Sequence, residues 1–159
     1  HTRLQGDWSS DVCSSDLGGP PCTYVGHPLI EKQPWIAALD AAPLAQRLGL
    51  DRSRPIVVVL PGSRRSEVRL LMEPFGDALG HLSTHGPQPQ VLLPVVESVR
   101  HLVEPALERW PLRPHLLTGD DDKFAAFKLA DVALAASGTV TLELALAGTP
   151  MVVAYKVDG

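Results

Sequence analysis

Two short segments hold most of the chemistry this chain can perform. Pro61-Gly62-Ser63-Arg64-Arg65-Ser66-Glu67 sets a glycine, a hydroxyl and two guanidinium groups in succession. A glycine lets a ligand approach the backbone, and an arginine fork fits phosphate oxygens. The second segment is Ala136-Ser137-Gly138-Thr139-Val140-Thr141-Leu142-Glu143. If Ser137 caps a helix there, the N–H groups of Gly138, Thr139 and Val140 point out of its mouth beside two hydroxyls, which suits a pyrophosphate. Glu143 then lies one turn deeper on the face of Thr139, where a carboxylate can accept hydrogen bonds from a ribose diol.

Each segment also has a plainer reading. Arg64 and Arg65 can be solvated at an exposed helix start while Glu67 complements the helix dipole. Ser137 can be a simple N-cap and Glu143 an exposed helix residue. Neither segment is a Walker A loop or a G-x-G-x-x-G turn, and a nucleophilic Ser137 is disfavoured because G-x-S-x-G is absent.

The remaining polar features point to structure. Asp120-Asp121-Asp122 reads as a solvated helix cap and not a cation site. His27, in a Gly-His-Pro turn, either touches a ligand at a domain junction or has no site role. His81, His85, His101 and His115 are scattered. Trp35 and Trp110 read as packing residues. Cys13 and Cys22 make no disulfide scaffold, and no His/Cys spacing suggests zinc. With 14 Lys+Arg against 18 Asp+Glu the formal charge is -4, so the bulk balance does not call for nucleic acid or an anionic membrane. No apolar run reaches the length of a spanning helix.

These side chains need a scaffold, and the hydrophobic pattern supplies one. Ile56-Val57-Val58-Val59-Leu60, between Pro55 and Pro61, is the signature of a strand covered on both faces. A helix is expected before it, from Ile36 to Leu50 despite Pro43. After it the chain alternates: helix 66–81, strand 90–93, helix 97–109, strand 115–117, helix 123–129, strand 132–135, helix 138–147 and strand 151–154. Five strands separated by helices imply right-handed crossovers and a Rossmann-like parallel sheet with helices on both faces. Ligands of such sheets bind beyond the carboxyl ends of the strands, where both polar segments fall.

Three regions are expected. Residues 1–17 are Ser- and Asp-rich without period, resemble a translated sequencing adapter and are expected to be a non-native, unstructured leader. Residues 18–35 form a connector, and 36–159 form the Rossmann-like domain. The chain ends directly after a strand whose outer face no helix covers, so the domain is expected to be truncated at both ends.

Tyr24-Val25-Gly26-His27-Pro28-Leu29, Leu60-Pro61-Gly62-Ser63-Arg64, and Ala136-Ser137-Gly138-Thr139 through Glu143 to Pro150-Met151-Val152-Val153-Ala154-Tyr155-Lys156 together resemble the lipid-A-disaccharide synthases. The likeness runs from Tyr24 to Lys156, and three motifs in order are far more specific than one. It implies an inverting, metal-independent glycosyltransferase of the GT-B type that needs no cofactor, of which this chain is the C-terminal, donor-binding half. The implied reaction transfers 2,3-diacylglucosamine from UDP-2,3-diacylglucosamine to the 6-hydroxyl of 2,3-diacylglucosamine 1-phosphate, forming the lipid A disaccharide precursor. It implies work at the cytoplasmic face of the inner membrane of Gram-negative bacteria, with membrane contact through the other domain.

By position, the resemblance makes Gly62, Ser63 and Arg64 the first donor loop, with Arg64 stabilising charge on the departing UDP. Ser137, Gly138 and Thr139 become the diphosphate-binding mouth, Glu143 the ribose ligand, and Gly26 and His27 a possible connector contact. The general base lies in a domain this chain lacks, so the chain alone is expected to bind UDP weakly and not to turn over. The alternatives are another GT-B enzyme of UDP-sugars, such as the peptidoglycan glucosaminyltransferase or UDP-N-acetylglucosamine 2-epimerase, and a non-catalytic nucleotide-binding module.

Overall fold

The computed structural model describes residues 26–157. Tyr24 and Val25 of the first motif, and the leader, lie outside them. The chain alternates as the pattern requires: α1 (Gln33–Ala38), α2 (Ala42–Leu48), β1 (Ile56–Leu60), α3 (Arg65–Thr84), β2 (Gln90–Pro94), α4 (Glu97–Ala106), β3 (His115–Leu117), α5 (Asp120–Leu129), β4 (Val132–Ala136), α6 (Thr139–Ala147) and β5 (Met151–Ala154). All four strand pairings are parallel, and the order across the sheet is β3-β2-β1-β4-β5.

The middle strand shows why the sheet must be sandwiched. Side chains alternate across a strand, and every residue of β1 is buried. Val57 and Val59 pack with α3 and α4 through Val68, Phe75, Val99 and Val103. Ile56, Val58 and Leu60 pack on the opposite face with Ile36, Leu44, Phe124 and Leu144, from α1, α2, α5 and α6. Full burial of such a side chain contributes roughly 1.5–3 kcal/mol, so a one-residue slip of β1 would exchange both cores at once. The edge strand β5 is the exception, with Val152 and Val153 exposed.

Several helix boundaries differ from expectation, and α3 runs on to Thr84 where an end at residue 81 is expected. The single helix expected over 36–50 is two, because Asp40 Oδ1 accepts the Ala42 N–H at 2.9 Å and starts a new helix. Pro43 then sits in the first turn of α2, where its missing N–H costs nothing. The helix expected over 97–109 ends at Ala106 and continues as a 3-10 turn over Leu107–Arg109. α5 begins at Asp120 and not Lys123, so the three aspartates form its first turn, where carboxylates offset the positive end of the helix dipole.

Trp35 and Trp110 pack as expected. Trp110 is buried and its Nε1 donates to the Met72 carbonyl at 2.9 Å. Trp35 meets Phe124 edge-on, with ring centroids 5.1 Å apart.

Candidate functional site

The strand order reverses between β1 and β4: β2 and β3 extend the sheet one way from β1, and β4 and β5 the other. Ligands of open parallel sheets settle at this switch point. The two polar segments are the loops that leave these two strands. They enclose one cleft of about 590 Å³, whose lining includes Gly62, Ser63, Arg64, Ser137, Gly138, Thr139 and Glu143. All seven expected ligand-binding residues are thus brought together. Gly26 and His27 do not line it; His27 Nδ1 accepts the Leu29 N–H at 3.1 Å and caps the 3-10 turn of Pro28–Lys32.

The two corners differ in how their donors are used. At the mouth of α6, the expected serine cap is not formed. Ser137 donates its N–H to the Ala154 carbonyl at 3.1 Å, which carries the β4–β5 ladder one residue past the strand, and Gly138 takes the N-cap position. Among the described residues, the N–H groups of Gly138, Thr139 and Val140 have no acceptor, and the first bonded amide is Thr141, to the Gly138 carbonyl at 3.0 Å. Free donors and a helix dipole are the elements from which anion sites at helix N-termini are built.

At the first corner the donors are engaged internally. Glu67, in the first turn of α3, folds back so that Oε2 accepts the N–H of Ser63 at 3.1 Å and of Arg64 at 3.3 Å. Its Oε1 accepts from the Arg64 guanidinium at 2.8 Å, leaving that side chain 77% exposed at the rim. Gly62, at φ +115, makes room for this: a Cβ there would lie 2.4 Å from Glu67 Oε2 and 2.6 Å from its Cβ. The glycine therefore admits an internal carboxylate. Glu67 is a site residue that sequence reasoning missed, since Ser-x-x-x-Glu spacing reads only as a helix start.

Glu143 is also engaged. Its Oε1 lies 3.1 Å from Lys123 Nζ, and Lys123 lies 3.1 Å from Asp120 Oδ1, whose other oxygen meets Lys32 Nζ at 3.0 Å. The hydrogen bond from Lys32, and after it that from Lys123, holds the Asp120 carboxyl below its ordinary range. Asp120 and Lys123 both line the cleft, as do Val95 and Val96 after β2 and Thr118 and Gly119 after β3. Asp122 pairs instead with Arg47. Among the described residues no group of three or more His, Cys, Asp or Glu is gathered as a metal site, and no helix is long and apolar enough to cross a membrane.

A helix mouth with free amides and a guanidinium thus line one cleft at the switch point of the sheet, where open parallel sheets bind their ligands. The family model for lipid-A-disaccharide synthetase matches residues 17–159, and with them the loops that build this cleft. The chain belongs to the lipid-A-disaccharide synthase family. It is 51% identical over 140 residues to the lipid-A-disaccharide synthase of Rhodopseudomonas palustris (strain BisB18), covering 88% of this chain and 34% of that protein. To that of Nitrobacter winogradskyi it is 52% identical over 140 residues, with the same two shares of 88% and 34%. The chain thus spans about a third of the length of these relatives. Among solved structures it resembles a glycosyl transferase family 9 protein from Veillonella parvula, with a TM-score of 0.60 at 18% identity over 75% of this chain and 34% of that one. At that identity the likeness speaks for the α/β fold alone.

Proposed function

We propose that this chain is the donor-binding half of an inverting glycosyltransferase that moves 2,3-diacylglucosamine from UDP to 2,3-diacylglucosamine 1-phosphate. Family membership supports the reaction class. The observation that carries the assignment of the half is the convergence of both switch-point loops on one cleft, with three unpaired amides at one wall and Arg64 at the other. The diphosphate sits at the mouth of α6, on Gly138, Thr139 and Val140, with the hydroxyls of Ser137 and Thr139 beside it. Glu143 accepts from the ribose hydroxyls through the oxygen Lys123 leaves unused.

In the reaction, the 6-hydroxyl of the acceptor attacks the anomeric carbon from the face opposite UDP. The bond to the diphosphate oxygen breaks, inverting the configuration, and the hydroxyl proton goes to a base outside this chain. Negative charge grows on the departing UDP. Donors already fixed at that spot stabilise it without reorganising, which is the role of the α6 amides and of Arg64. In this reading the acyl chains of both substrates stay at the cytoplasmic face of the inner membrane, and the protein works there as a peripheral enzyme.

Calorimetric titration of the chain with UDP tests the donor site. Arg64→Ala and Glu143→Ala each remove a charge-assisted hydrogen bond and are expected to weaken binding roughly tenfold or more. Equal affinity in the parent and both variants would overturn the assignment.

A further inference from the structure

Lys123 lines the cleft without belonging to either of the loops that the family motifs mark. It sits in the first turn of α5, and its ammonium spans two helices: 3.1 Å to Asp120 Oδ1 on its own helix and 3.1 Å to Glu143 Oε1 on α6. Its Nζ is also 4.8 Å from the centroid of the buried Phe124 ring, a cation–π contact that fixes it from below. The side chains of Lys123 and Glu143 are only 20% and 14% exposed. A pair so placed is shielded from the solvent screening that makes surface ion pairs weak.

We propose that Lys123 is a positioning residue that gives this site its preference for a ribonucleotide, an inference that rests on the reading of Glu143 as the ribose ligand. An ammonium has three donors, and two are committed to carboxylates, so Lys123 is built to hold acidic groups more than to meet phosphate. Glu143 Oε1 is occupied by it, while Oε2 has no partner among the described residues. The carboxylate is thereby locked in one rotamer with one oxygen left to accept. Without the cation, Glu143 would be a largely buried charge with no partner, and it would turn toward water instead of a diol. The chain Lys32–Asp120–Lys123 secures the ammonium from behind, since Asp120 is itself held by Lys32 at 3.0 Å.

The test compares UDP with 2′-deoxy-UDP by calorimetry on the parent chain, Lys123→Met, Lys123→Arg and Glu143→Gln, with thermal melting of each to establish folding. The parent is expected to prefer UDP by roughly tenfold, the worth of a hydrogen bond to a charged group. Lys123→Met should lose most of that preference while still binding both ligands through the α6 mouth, and Lys123→Arg should keep it. A Lys123→Met variant that weakens both ligands equally makes Lys123 a direct phosphate contact and overturns the proposal; so does one that retains the full preference. A parent that binds UDP without preferring it removes the ribose role of Glu143, and this inference with it. A parent that binds neither ligand refutes the donor-site reading itself.

Discussion

Replacing Gly62 by alanine tests whether the first loop is built around the Glu67 carboxylate. Two costs are separable. The first is conformational: at φ +115 an L side chain is strained, by roughly 1–3 kcal/mol. The second is steric. The new methyl would stand 2.4 Å from Glu67 Oε2, which a rotamer change can relieve, and 2.6 Å from Glu67 Cβ, which it cannot. The loop must therefore move off the first turn of α3, and the bonds from the Ser63 and Arg64 N–H groups to Glu67 go with it, for about 1–3 kcal/mol more. Gly119 is the control. It has φ +86 and lines the same cleft, but nothing lies within 4 Å of a Cβ built there. Gly119→Ala should show the conformational cost alone, whereas Gly62→Ala should show both. At about 3 °C per kcal/mol for a domain of this size, the Gly62 variant should melt roughly 3–9 °C below the Gly119 variant. Glu67→Ala keeps its Cβ and should not rescue Gly62→Ala to the Gly119 level. Equal melting temperatures for the two alanine variants would refute the claim that Glu67 is what the glycine makes room for.

Two further outcomes follow from contacts around the cleft. Lys128 Nζ reaches the carbonyls of Ile36, Ala37 and Leu39 at 3.2, 3.1 and 2.6 Å, closing the end of α1; Lys128→Met should cost roughly 1–2 kcal/mol and raise hydrogen exchange in residues 33–39 more than in α3. Asp120 titrates below its ordinary value because Lys32, and secondarily Lys123, bind its ionised form, so its stabilisation is full above about pH 4 and is lost as pH falls through the lowered value. Asp120→Asn should therefore melt below the parent at neutral pH, with a gap that closes in acid; a gap independent of pH would contradict this. The carboxylate is 56% exposed, which keeps the neutral-pH effect within about 1 kcal/mol.

Much of the scaffold is legible in the chain because parallel strands buried on both faces announce themselves. Ile56 to Leu60 between two prolines is β1 to the residue, and the four other strands fall within one residue of their expected ends. Where the reading departs, a contact that the hydrophobic pattern does not display decides the outcome. Asp40 interrupts a helical period that runs on through Ala41, Leu44 and Leu48, since its carboxylate offers the backbone another partner. Ser137 looks like a cap by type and position, yet it extends the β4–β5 ladder by one residue and Gly138 is the N-cap, with no side-chain capping bond. Gly76 carries no visible signal at all: a Cβ there would come within 2.6 Å of Trp110, 34 positions along the chain and just past the 3-10 turn that follows α4. Lys123 belongs to the same class. Its i,i+3 relation to Asp120 is visible in the sequence, but the contact that gives it meaning, with Glu143, is made only when α5 and α6 pack side by side.

The two corners of the cleft resemble each other in composition and differ in physical state, and the difference has a cause. Both present amides at the end of a buried strand. An amide with no acceptor is tolerable where water reaches it and costly where it does not, so an empty anion site must either stay wet or carry its own anion. The α6 mouth stays open, with three amides unpaired among the described residues. The Gly62–Arg64 loop carries its own anion, because Glu67 from the next turn fills the space a Cβ would occupy. A ligand anion that took the Ser63 and Arg64 amides would first have to expel that carboxylate against its bond to the Arg64 guanidinium. One that binds at α6 has no such internal competitor among the described residues. On the proposed function, the diphosphate therefore goes to the α6 mouth, and the first loop contributes its guanidinium, held at the rim by Glu67 where charge would build up on the leaving oxygen.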